Sequence, residues 1–596
     1  MGLLLIDQIR KLLKRFTIWR RRRLQERQYI IILSIAVGFS SGLAAVALKN
    51  AVFFIQSFLK AGALKGEESY LYLIYPGLGI LLTVLVSRYL FKGKLGLSIP
   101  NVLQSISKTN SILPRSATYK SLVTSLITVG FGGSVGLEGP TVGASSAIGS
   151  NYSRWSRLNY QKTTLMLGCG AAAAMSGIFH APIAAVVFAL EVIMLDLTVS
   201  SMIPLLMASI SATLTSYLMF GDEVLFDIEV IDSFMLSDVP FYILLGVLTG
   251  LLSVYFCKSY WTIERKFDKI HGRYQKVLVG SIILGALIFV FPPLYGEGFV
   301  SIKAMLNGDM QSLFEGSLFY DYREHFWMIA IFLIAIVFIK SIATTLTLGA
   351  GGFGGVFAPS MFMGSAFGFL FARSLNQLGF FTLSERNFTL VSMAGLIAGI
   401  LQAPLTGLFL IAEITSGYEL IIPLMITAAI SFITARYFQP HSLYTLQLAE
   451  KGELITHNKD QAVLTLMQLK TEVEDDFATI GPDQTLGELV KLVSRSSRNL
   501  FPVVNDDGSL EGIVLLDDIR QVMFKPKKYD KIQVWELMIQ HPDAVASTDS
   551  MDQVMKKFQT TGAWNLPVID NGKYVGFVSK SKLFNDYRKI LKDFHE

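Results

Sequence analysis

Residues 132–140 read Gly132-Gly133-Ser134-Val135-Gly136-Leu137-Glu138-Gly139-Pro140, and the second half of the chain contains a similar segment, Gly351-Gly352-Phe353-Gly354-Gly355-Val356-Phe357-Ala358-Pro359. A second similar pair follows, Gly177-Ile178-Phe179-His180-Ala181-Pro182-Ile183 and Gly399-Ile400-Leu401-Gln402-Ala403-Pro404-Leu405, and each half then carries one acidic residue, Glu191 or Glu413. The separation between the halves is nearly the same for every pair. The chain therefore contains an internal repeat.

The sequence around these segments is too apolar for a soluble globule. Of its 596 residues, 52% are hydrophobic and 16% are charged, whereas soluble domains carry about 25% charged residues. From about residue 28 to 440 the chain is a series of apolar runs, several of them short or broken by Gly and Pro. Irregular backbone at membrane depth survives only inside protein or beside water. The pattern predicts an all-α polytopic membrane protein with a transport site between two repeats.

The two glycine-rich breaks are suited to bind an anion. A helix that starts inside the membrane presents unpaired N–H groups and the positive end of its dipole, and proline is favoured in its first turn. Gly139-Pro140 and Ala358-Pro359 are therefore predicted helix starts that face an anion. Partial charge suits a permeating ion, because a full positive charge would hold it too tightly. The alternative is that the small residues serve close helix packing.

Glu138 is the strongest candidate for a functional side chain, because it lies among glycines beside a predicted helix start. As a carboxylate it would occupy the anion site as an internal competitor, and once protonated it would leave the site to a substrate anion. Burial favours the protonated form and helix dipoles favour the ionised form, so this residue is suited to act as a gate. The alternative is a helix cap or an exposed loop residue. For Glu191 and Glu413 we favour a structural role as acceptors of backbone N–H groups.

The apolar region is preceded by a basic segment. Residues 1–28 are rich in Lys and Arg and are predicted to form a cytosolic helix, because basic flanks mark the cytosolic side of a membrane segment. The membrane domain is predicted at 29–448, with its repeats at about 29–230 and 240–448.

These motifs resemble those of the CLC family of chloride channels and chloride/proton antiporters. Gly136-Leu137-Glu138-Gly139-Pro140 is similar to the family's Gly-Arg/Lys-Glu-Gly-Pro signature, and Gly355-Val356-Phe357-Ala358-Pro359 is similar to its Gly-x-Phe-x-Pro signature. The resemblance implies that the protein is a homodimer of inverted repeats with one pore per subunit. It also implies a gating role for Glu138, and an anion site made by the amides near Leu97, Gly139, Val356 and Phe357 and the hydroxyl of Tyr444.

Two positions depart from the family pattern. The signature Gly-Ser-Gly-Ile-Pro reads Gly96-Leu97-Ser98-Ile99-Pro100 here, so the anion-binding serine falls on Leu97, and Ser98 would partly substitute for it only if the loop shifts. The inner proton-transfer glutamate of the antiporters falls on Val192, which is not ionisable and resembles the channel members. The resemblance therefore favours passive conduction, with chloride/proton antiport as the alternative.

The tail follows a linker at 449–461 and contains two similar units, 462–530 and 531–596, in which strands alternate with amphipathic helices. This pattern predicts a soluble α/β domain and resembles a pair of CBS domains, which often bind adenine nucleotides. The usual nucleotide signature is incomplete in both units, and leaves Asp518 to contact a ribose and Lys582 to contact a phosphate. We expect no required cofactor, and a folded dimerisation module is the alternative to a nucleotide site.

The sequence thus predicts transport of a small anion, with chloride the first candidate, by a multi-pass homodimer in the plasma membrane with both termini cytosolic. The remoter alternative is a cation carrier regulated by CBS domains, but helix N-termini present the wrong charge for a cation. An enzyme would need a nucleophile with its base, or a metal set, at membrane depth, and the membrane runs show no paired carboxylates at helical spacing and no histidine cluster. We expect no catalytic residue, no metal and no nucleic-acid partner.

Overall fold

A computed structural model of the chain separates into two compact units, Met1–Glu450 and Lys451–Glu596. The structure describes residues 25–63, 70–92, 96, 98–193, 199–220, 232–379, 382–415, 418–450, 467, 469–540 and 543–593. Most of the predicted basic segment, most of the predicted linker, and Leu97 lie outside these ranges.

The first unit is a helical membrane domain. In chain order its helices are α1 (Glu26–Ala63), α2 (Leu71–Tyr89), α3 (Ile99–Lys108), α4 (Ala117–Gly130), α5 (Glu138–Ser156), α6 (Tyr160–Phe179), α7 (Pro182–Glu191), α8 (Val199–Phe220), α9 (Val239–Asp268), α10 (Arg273–Val290), α11 (Phe299–Leu306), α12 (Met310–Phe314), α13 (Phe326–Gly349), α14 (Phe357–Gln377), α15 (Glu385–Leu401), α16 (Pro404–Ile414), α17 (Ile421–Phe438) and α18 (Leu446–Glu450). Short 3-10 turns lie at Leu236–Asp238, Pro292–Leu294 and Tyr320–Tyr322. Within the described ranges, seven helices, namely α1, α2, α8, α9, α10, α13 and α17, are long and apolar enough to cross a membrane.

Helices α7 and α16 are too short to span a bilayer. They contain 10 and 11 residues, which at a rise of about 1.5 Å per residue covers roughly half of the hydrocarbon core. Each begins at a proline that lies two residues after a residue in the left-handed region, His180 at φ 56° and Gln402 at φ 55°. The chain therefore turns in the same way before both half-helices, as the sequence repeat predicts.

The two halves of this unit use the same helix pairings. Helix α5 packs on α6 as α14 packs on α15, α1 packs on α8 as α9 packs on α17, and α6 packs on α8 as α15 packs on α17. Glycine permits the first of these contacts, because a Cβ atom at Gly170 would overlap the carbonyl oxygen of Ser145 and one at Gly368 would overlap that of Phe388. Close packing thus explains many of the small residues in these helices.

The second unit is an α/β domain with two similar halves. Its helices are α19 (Leu469–Glu472), α20 (Leu486–Arg495), α21 (Leu516–Ile519), α22 (Met551–Thr561) and α23 (Lys580–Asp593), with 3-10 turns at Pro526–Lys528 and Val534–Glu536. Strands β1 (Leu500–Val504), β2 (Leu510–Leu515) and β3 (Ile539–Gln540) form one antiparallel sheet, and β4 (Asn565–Asp570) and β5 (Lys573–Ser579) form another.

Each half of this domain has the same arrangement of a hairpin and a preceding segment. Ile480 forms a parallel bridge to Val503 on β1, and Val545 forms the equivalent bridge to Val568 on β4. A core of apolar side chains lies beneath each hairpin. This confirms the predicted alternation of strands and amphipathic helices in the tail.

Candidate functional site

The two glycine-rich breaks meet inside the membrane unit. Gly136 and Gly355 exchange both backbone hydrogen bonds, with N···O distances of 2.8 and 2.7 Å. The bridge is antiparallel, and it joins equivalent positions of the two repeats. A Cβ atom at Gly355 would lie 2.8 Å from the amide nitrogen of Gly139, so only glycine permits this approach.

Two helices begin immediately after this bridge. Helix α5 starts at Glu138 and α14 starts at Phe357, and each has a proline in its first turn, Pro140 or Pro359. Val356 and Phe357 are buried. The first-turn N–H groups of a helix lack intrahelical acceptors and carry the positive end of its dipole. The pairing of Gly136 with Gly355 therefore brings two electropositive helix ends side by side.

The side chain of Glu138 lies where these two helix ends meet, a place called the junction below. It is 1% exposed, and neither carboxyl oxygen has a hydrogen-bond partner within the part of the chain that the structure describes. The backbone amides of Glu138 itself and of Ala358 act on the carboxyl group electrostatically. A Cβ atom at Gly136 would overlap its Oε2 atom, so the glycine leaves the space that the carboxyl group fills.

Tyr444 contributes a hydroxyl group to the same region. Its Oη atom is buried and has no hydrogen-bond partner among the described residues. The hydroxyl is close enough to Glu138 for the two side chains to interact electrostatically. The segment that carries it is held against the end of α15, because the Leu443 amide donates to the carbonyl oxygen of Ile400 at 3.3 Å. A buried donor without a protein acceptor is suited to a ligand.

The comparisons with known proteins agree with this geometry. The model of the family described as "Voltage gated chloride channel" matches residues 78–436, more than half of the chain. This chain belongs to the voltage-gated chloride channel (CLC) family. The model of the CBS domain matches residues 470–525 and 534–588, which confirms the resemblance of the tail.

Curated relatives of this CLC protein include proteins named as channels and as exchangers. A putative chloride channel protein ClcB-like of Ralstonia nicotianae is 26% identical over 439 residues, covering 70% of this chain and 96% of the relative. An H(+)/Cl(−) exchange transporter ClcA of Salmonella newport is 27% identical over 478 residues, covering 75% of this chain and 93% of the relative. The chloride channel protein CLC-f of Arabidopsis thaliana is 22% identical over 557 residues, covering 83% of this chain and 69% of the relative.

Solved structures show the same fold. A slow cyanobacterial Cl−/H+ antiporter superposes with a TM-score of 0.61 at 21% identity, covering 72% of this chain and 98% of that structure. A eukaryotic CLC transporter superposes with a TM-score of 0.59 at 19% identity, covering 93% of this chain and 97% of that structure. These likenesses confirm the CLC fold predicted from the repeats.

Of the three remaining predicted site positions in the membrane unit, the structure describes Ser98 and Val192. Leu97 is not among the described residues, and its neighbour Ser98 is the residue before α3. The hydroxyl of Ser98 donates to Oδ1 of Asn101 at 2.9 Å, and its amide donates to the same oxygen at 3.1 Å. This side chain is therefore engaged at the helix start. Val192 is buried at the end of α7.

The paired acids at the ends of the half-helices cap each other's repeat. Glu413 accepts the amides of Ile183 and Ala184 at 3.0 and 2.8 Å, and Glu191 accepts the amides of Leu405 and Thr406 at 3.1 and 2.7 Å. The role predicted for both as acceptors of backbone N–H groups is confirmed. Such reciprocal contacts are what a two-fold relation between equivalent segments produces.

Two charged residues near the junction were not predicted from the sequence. Glu297 accepts the amide of Leu137 at 3.1 Å. Lys340 is fully buried in α13, and its Nζ atom donates to Oγ of Ser134 at 2.9 Å and to the carbonyl of Gly296 at 3.1 Å. The available signal was an isolated ionisable residue within an apolar helix or a membrane break, which marks a functional candidate.

The candidate nucleotide residues of the CBS tail lie in different surroundings. Lys582 donates from Nζ to the carbonyl oxygen of Glu472 at 3.3 Å, and the hydroxyl of Ser579 donates to Glu474 at 2.9 Å. Asp518 is exposed at the start of α21, and Leu515 provides no hydroxyl at the signature position. The Lys582 ammonium group and the Ser579 hydroxyl are thus bonded within the protein.

Proposed function

We propose that this CLC protein transports chloride across a membrane through a pore in each subunit of a homodimer, and that Glu138 gates the pore. The observation that carries this proposal is the Glu138 carboxyl group, buried at the junction of two helix N-termini with no hydrogen-bond partner in the described ranges. A buried carboxyl group without partners is costly in free energy. Such a residue persists when its position serves function.

The gate works by competition between two anions for one electropositive site. The carboxylate of Glu138 carries the same charge as chloride, and the helix ends at Glu138 and Phe357 favour either one. When Glu138 is protonated, its attraction to these ends is lost, and chloride takes its place. The amides near Gly139, Val356 and Phe357 and the hydroxyl of Tyr444 then bind the ion.

The absence of an acid at Val192 favours passive conduction. Valine cannot carry a proton, and it is buried at the end of α7. Because Ser98 is engaged with Asn101, we assign most of the anion contacts to backbone amides. Proton binding to Glu138 then opens the pore without obligatory proton transport.

Chloride/proton antiport is the second candidate. It is favoured by the names of two similar proteins, the H(+)/Cl(−) exchange transporter of Salmonella newport and the slow cyanobacterial Cl−/H+ antiporter. Antiport would require a proton path past Val192 that uses water or another side chain. Simultaneous measurement of chloride and proton flux from liposomes separates the two. Uphill proton movement driven by a chloride gradient establishes antiport and overturns passive conduction.

The gate is tested with purified protein in liposomes. Glu138→Gln removes the charge of the gate with little change in shape, so chloride efflux is expected to be high and independent of pH. The matched control is Glu315→Gln, an exposed acid of the same unit, which is expected to behave as wild type. Chloride efflux of Glu138→Gln with wild-type rate and pH dependence would exclude the gating role.

We also propose that the protein is a homodimer in the plasma membrane and that both of its termini are cytosolic. Size-exclusion chromatography with light scattering tests the dimer. Protease access to the C-terminal CBS unit in intact cells tests the orientation, since a cytosolic tail is protected until the membrane is opened.

A further inference from the structure

Glu297 lies directly behind the gate. It is flanked by Gly296 and Gly298, whose φ angles of 66° and 93° allow the chain to turn sharply on both sides of it. Its Oε1 atom accepts the amide of Leu137, the residue that precedes Glu138, at 3.1 Å. The carboxyl groups of Glu297 and Glu138 also interact electrostatically. A second acid is therefore held next to the gating acid by the gate's own backbone.

Glu297 also lines a cavity that reaches the surface of the unit. The cavity has a volume of about 460 Å³ and is bordered by Gln56, Tyr72, Tyr75 and Tyr295 as well as Glu297. This volume holds several water molecules, each of which occupies roughly 30 Å³ in the liquid. Glu297 is partly exposed, whereas Glu138 is 1% exposed. Glu297 thus stands between water in the cavity and the buried gate.

Charged groups from three helices act on the Glu297 carboxyl. They are Glu138 at the start of α5, Lys49 from α1 and Lys340 from α13. The two lysines stabilise a carboxylate at Glu297 after a proton has left it. The other titratable groups on this cavity are Tyr72, Tyr75, Tyr295 and the exposed Glu315, of which the tyrosines are neutral over the acid and neutral range.

We infer that Glu297 is a proton-relay residue that carries protons from the cavity to Glu138. A hydronium ion in the cavity gives its proton to a carboxylate oxygen of Glu297 and becomes water. The proton then passes to the Glu138 carboxylate, directly or through one water. Glu138 becomes neutral and leaves the anion site, and Glu297 regains its negative charge beside Lys49 and Lys340. This inference rests on the proposed gating role of Glu138.

The relay is tested by the speed with which chloride flux responds to acid. Proteoliposomes containing the full-length protein are taken from neutral to acidic pH in a stopped-flow instrument, and chloride efflux is followed with a chloride-sensitive dye. Glu297→Gln keeps an oxygen acceptor for the Leu137 amide but cannot carry a proton. We expect the flux of this variant to respond to acid at a rate that is lower than that of wild type by roughly tenfold or more. A positioned proton carrier typically contributes at least that factor.

Two further variants separate a relay from a structural role. Glu297→Asp retains an acid and is expected to restore most of the fast response, although a purely structural side chain of one length would not be rescued. Glu315→Gln removes an acid from the rim of the same cavity and is expected to respond as wild type. If Glu297→Gln does not fold, Glu297→Asp carries the test: a relay predicts a fast response with pH dependence retained, and a response slowed roughly tenfold or more overturns it.

The outcomes distinguish this inference from the proposed function. Flux in Glu138→Gln that is high and independent of pH, together with a wild-type response in Glu297→Gln, overturns the relay and leaves the gate intact. Flux in Glu138→Gln that keeps the wild-type pH dependence overturns the gate itself. A slowed response in Glu297→Gln with normal chloride selectivity supports both.

Discussion

The carboxylate of Glu413, at the end of one half-helix, accepts the backbone amide of Ala184, in the first turn of the other, at 2.8 Å. In the equivalent contact, Glu191 accepts the backbone amide of Thr406 at 2.7 Å. Each half-helix thus supplies the acceptor that its partner lacks in its first turn. These acids explain how two helix starts are stable inside the membrane unit without using the gating glutamate.

We predict that Glu413→Ala destabilises the protein by about 1–3 kcal/mol, because two amides in the first turn of the other half-helix lose their carboxylate acceptor. The amides involved are those of Ile183 and Ala184. The measurement is the thermal unfolding midpoint of the purified protein in detergent. Glu419→Ala, an exposed acid a few residues further along, is the control and should leave the midpoint unchanged. Equal midpoints for both variants would show that the cap contributes nothing.

Tyr444→Phe should affect chloride binding and leave stability nearly unchanged. The hydroxyl of Tyr444 has no hydrogen-bond partner within the described ranges, so its removal breaks no bond in the ion-free protein. A lost hydrogen bond to a charged ion costs about 1.5–3 kcal/mol, which corresponds to binding that is weaker by roughly tenfold or more. Isothermal titration with chloride measures the affinity. A variant that unfolds earlier but binds chloride normally would assign this hydroxyl to packing.

Much of the junction could be predicted from the sequence, because a sequence repeat identifies positions that are structurally equivalent. The pairing of Gly136 with Gly355 joins equivalent positions, and the two motifs were recognisable as equivalent before their contact was known. The acceptor role of Glu413 was also predictable, but its partner in the other repeat was not. Sequence similarity between two repeats does not show which of their residues are close in space.

The remaining features depend on single residues without a counterpart. Glu297 and Lys340 occur once, so the repeat does not single them out, and their proximity to Glu138 arises from the packing of α5 and α13 with the chain after α10. The engagement of Ser98 with Asn101 likewise depends on a local helix start. Hydrophobic pattern alone does not report such contacts.

Lys340→Met should destabilise the membrane unit. The ammonium group donates to Ser134, Gly296 and, at 3.4 Å, the carbonyl of Leu294. Methionine has a similar length but no donor, so the buried oxygen atoms lose their hydrogen bonds. The nearby Glu297 also loses a compensating positive charge. Breaking a buried network from one side costs about 3 kcal/mol or more. Thermal unfolding of Lys340→Met is compared with that of Lys303→Met, which alters an exposed lysine; matching midpoints would contradict the prediction.

Adenine nucleotides are expected to leave the stability of the full-length protein unchanged. A ligand present at a hundredfold its dissociation constant stabilises the folded state by about 2.7 kcal/mol, which thermal unfolding detects readily. Because Lys582 and Ser579 are bonded within the tail, ATP, ADP and AMP should each give no shift. A concentration-dependent rise in the midpoint that disappears in Asp518→Ala would instead establish a nucleotide site.

Arg498 should make the stability of the CBS tail depend on acid pH. Its guanidinium group contacts both carboxylate oxygens of Asp476, at 2.6 and 2.7 Å, and Oε2 of Glu474 at 2.8 Å. These hydrogen bonds lower the pKa of Asp476 below its usual value. A group whose pKa is depressed by folding stabilises the folded state above its unfolded pKa, and this contribution is lost as the pH falls through the folded value.

Arg498→Ala is therefore expected to destabilise the tail more at neutral pH than at acid pH. At neutral pH the variant should unfold at a lower temperature than wild type, and the difference should shrink as the pH falls below the usual pKa of aspartate, about 3.9. Asp476 is exposed, so added salt should also reduce the difference. Hydrogen exchange at the Glu474–Phe577 bridge, where the two amides donate to the opposite carbonyls at 2.7 and 2.8 Å, reports this region specifically. A difference that stays constant between neutral and acid pH would mean that Arg498 acts through packing on the Phe477 ring, 4.7 Å away, and not through charge.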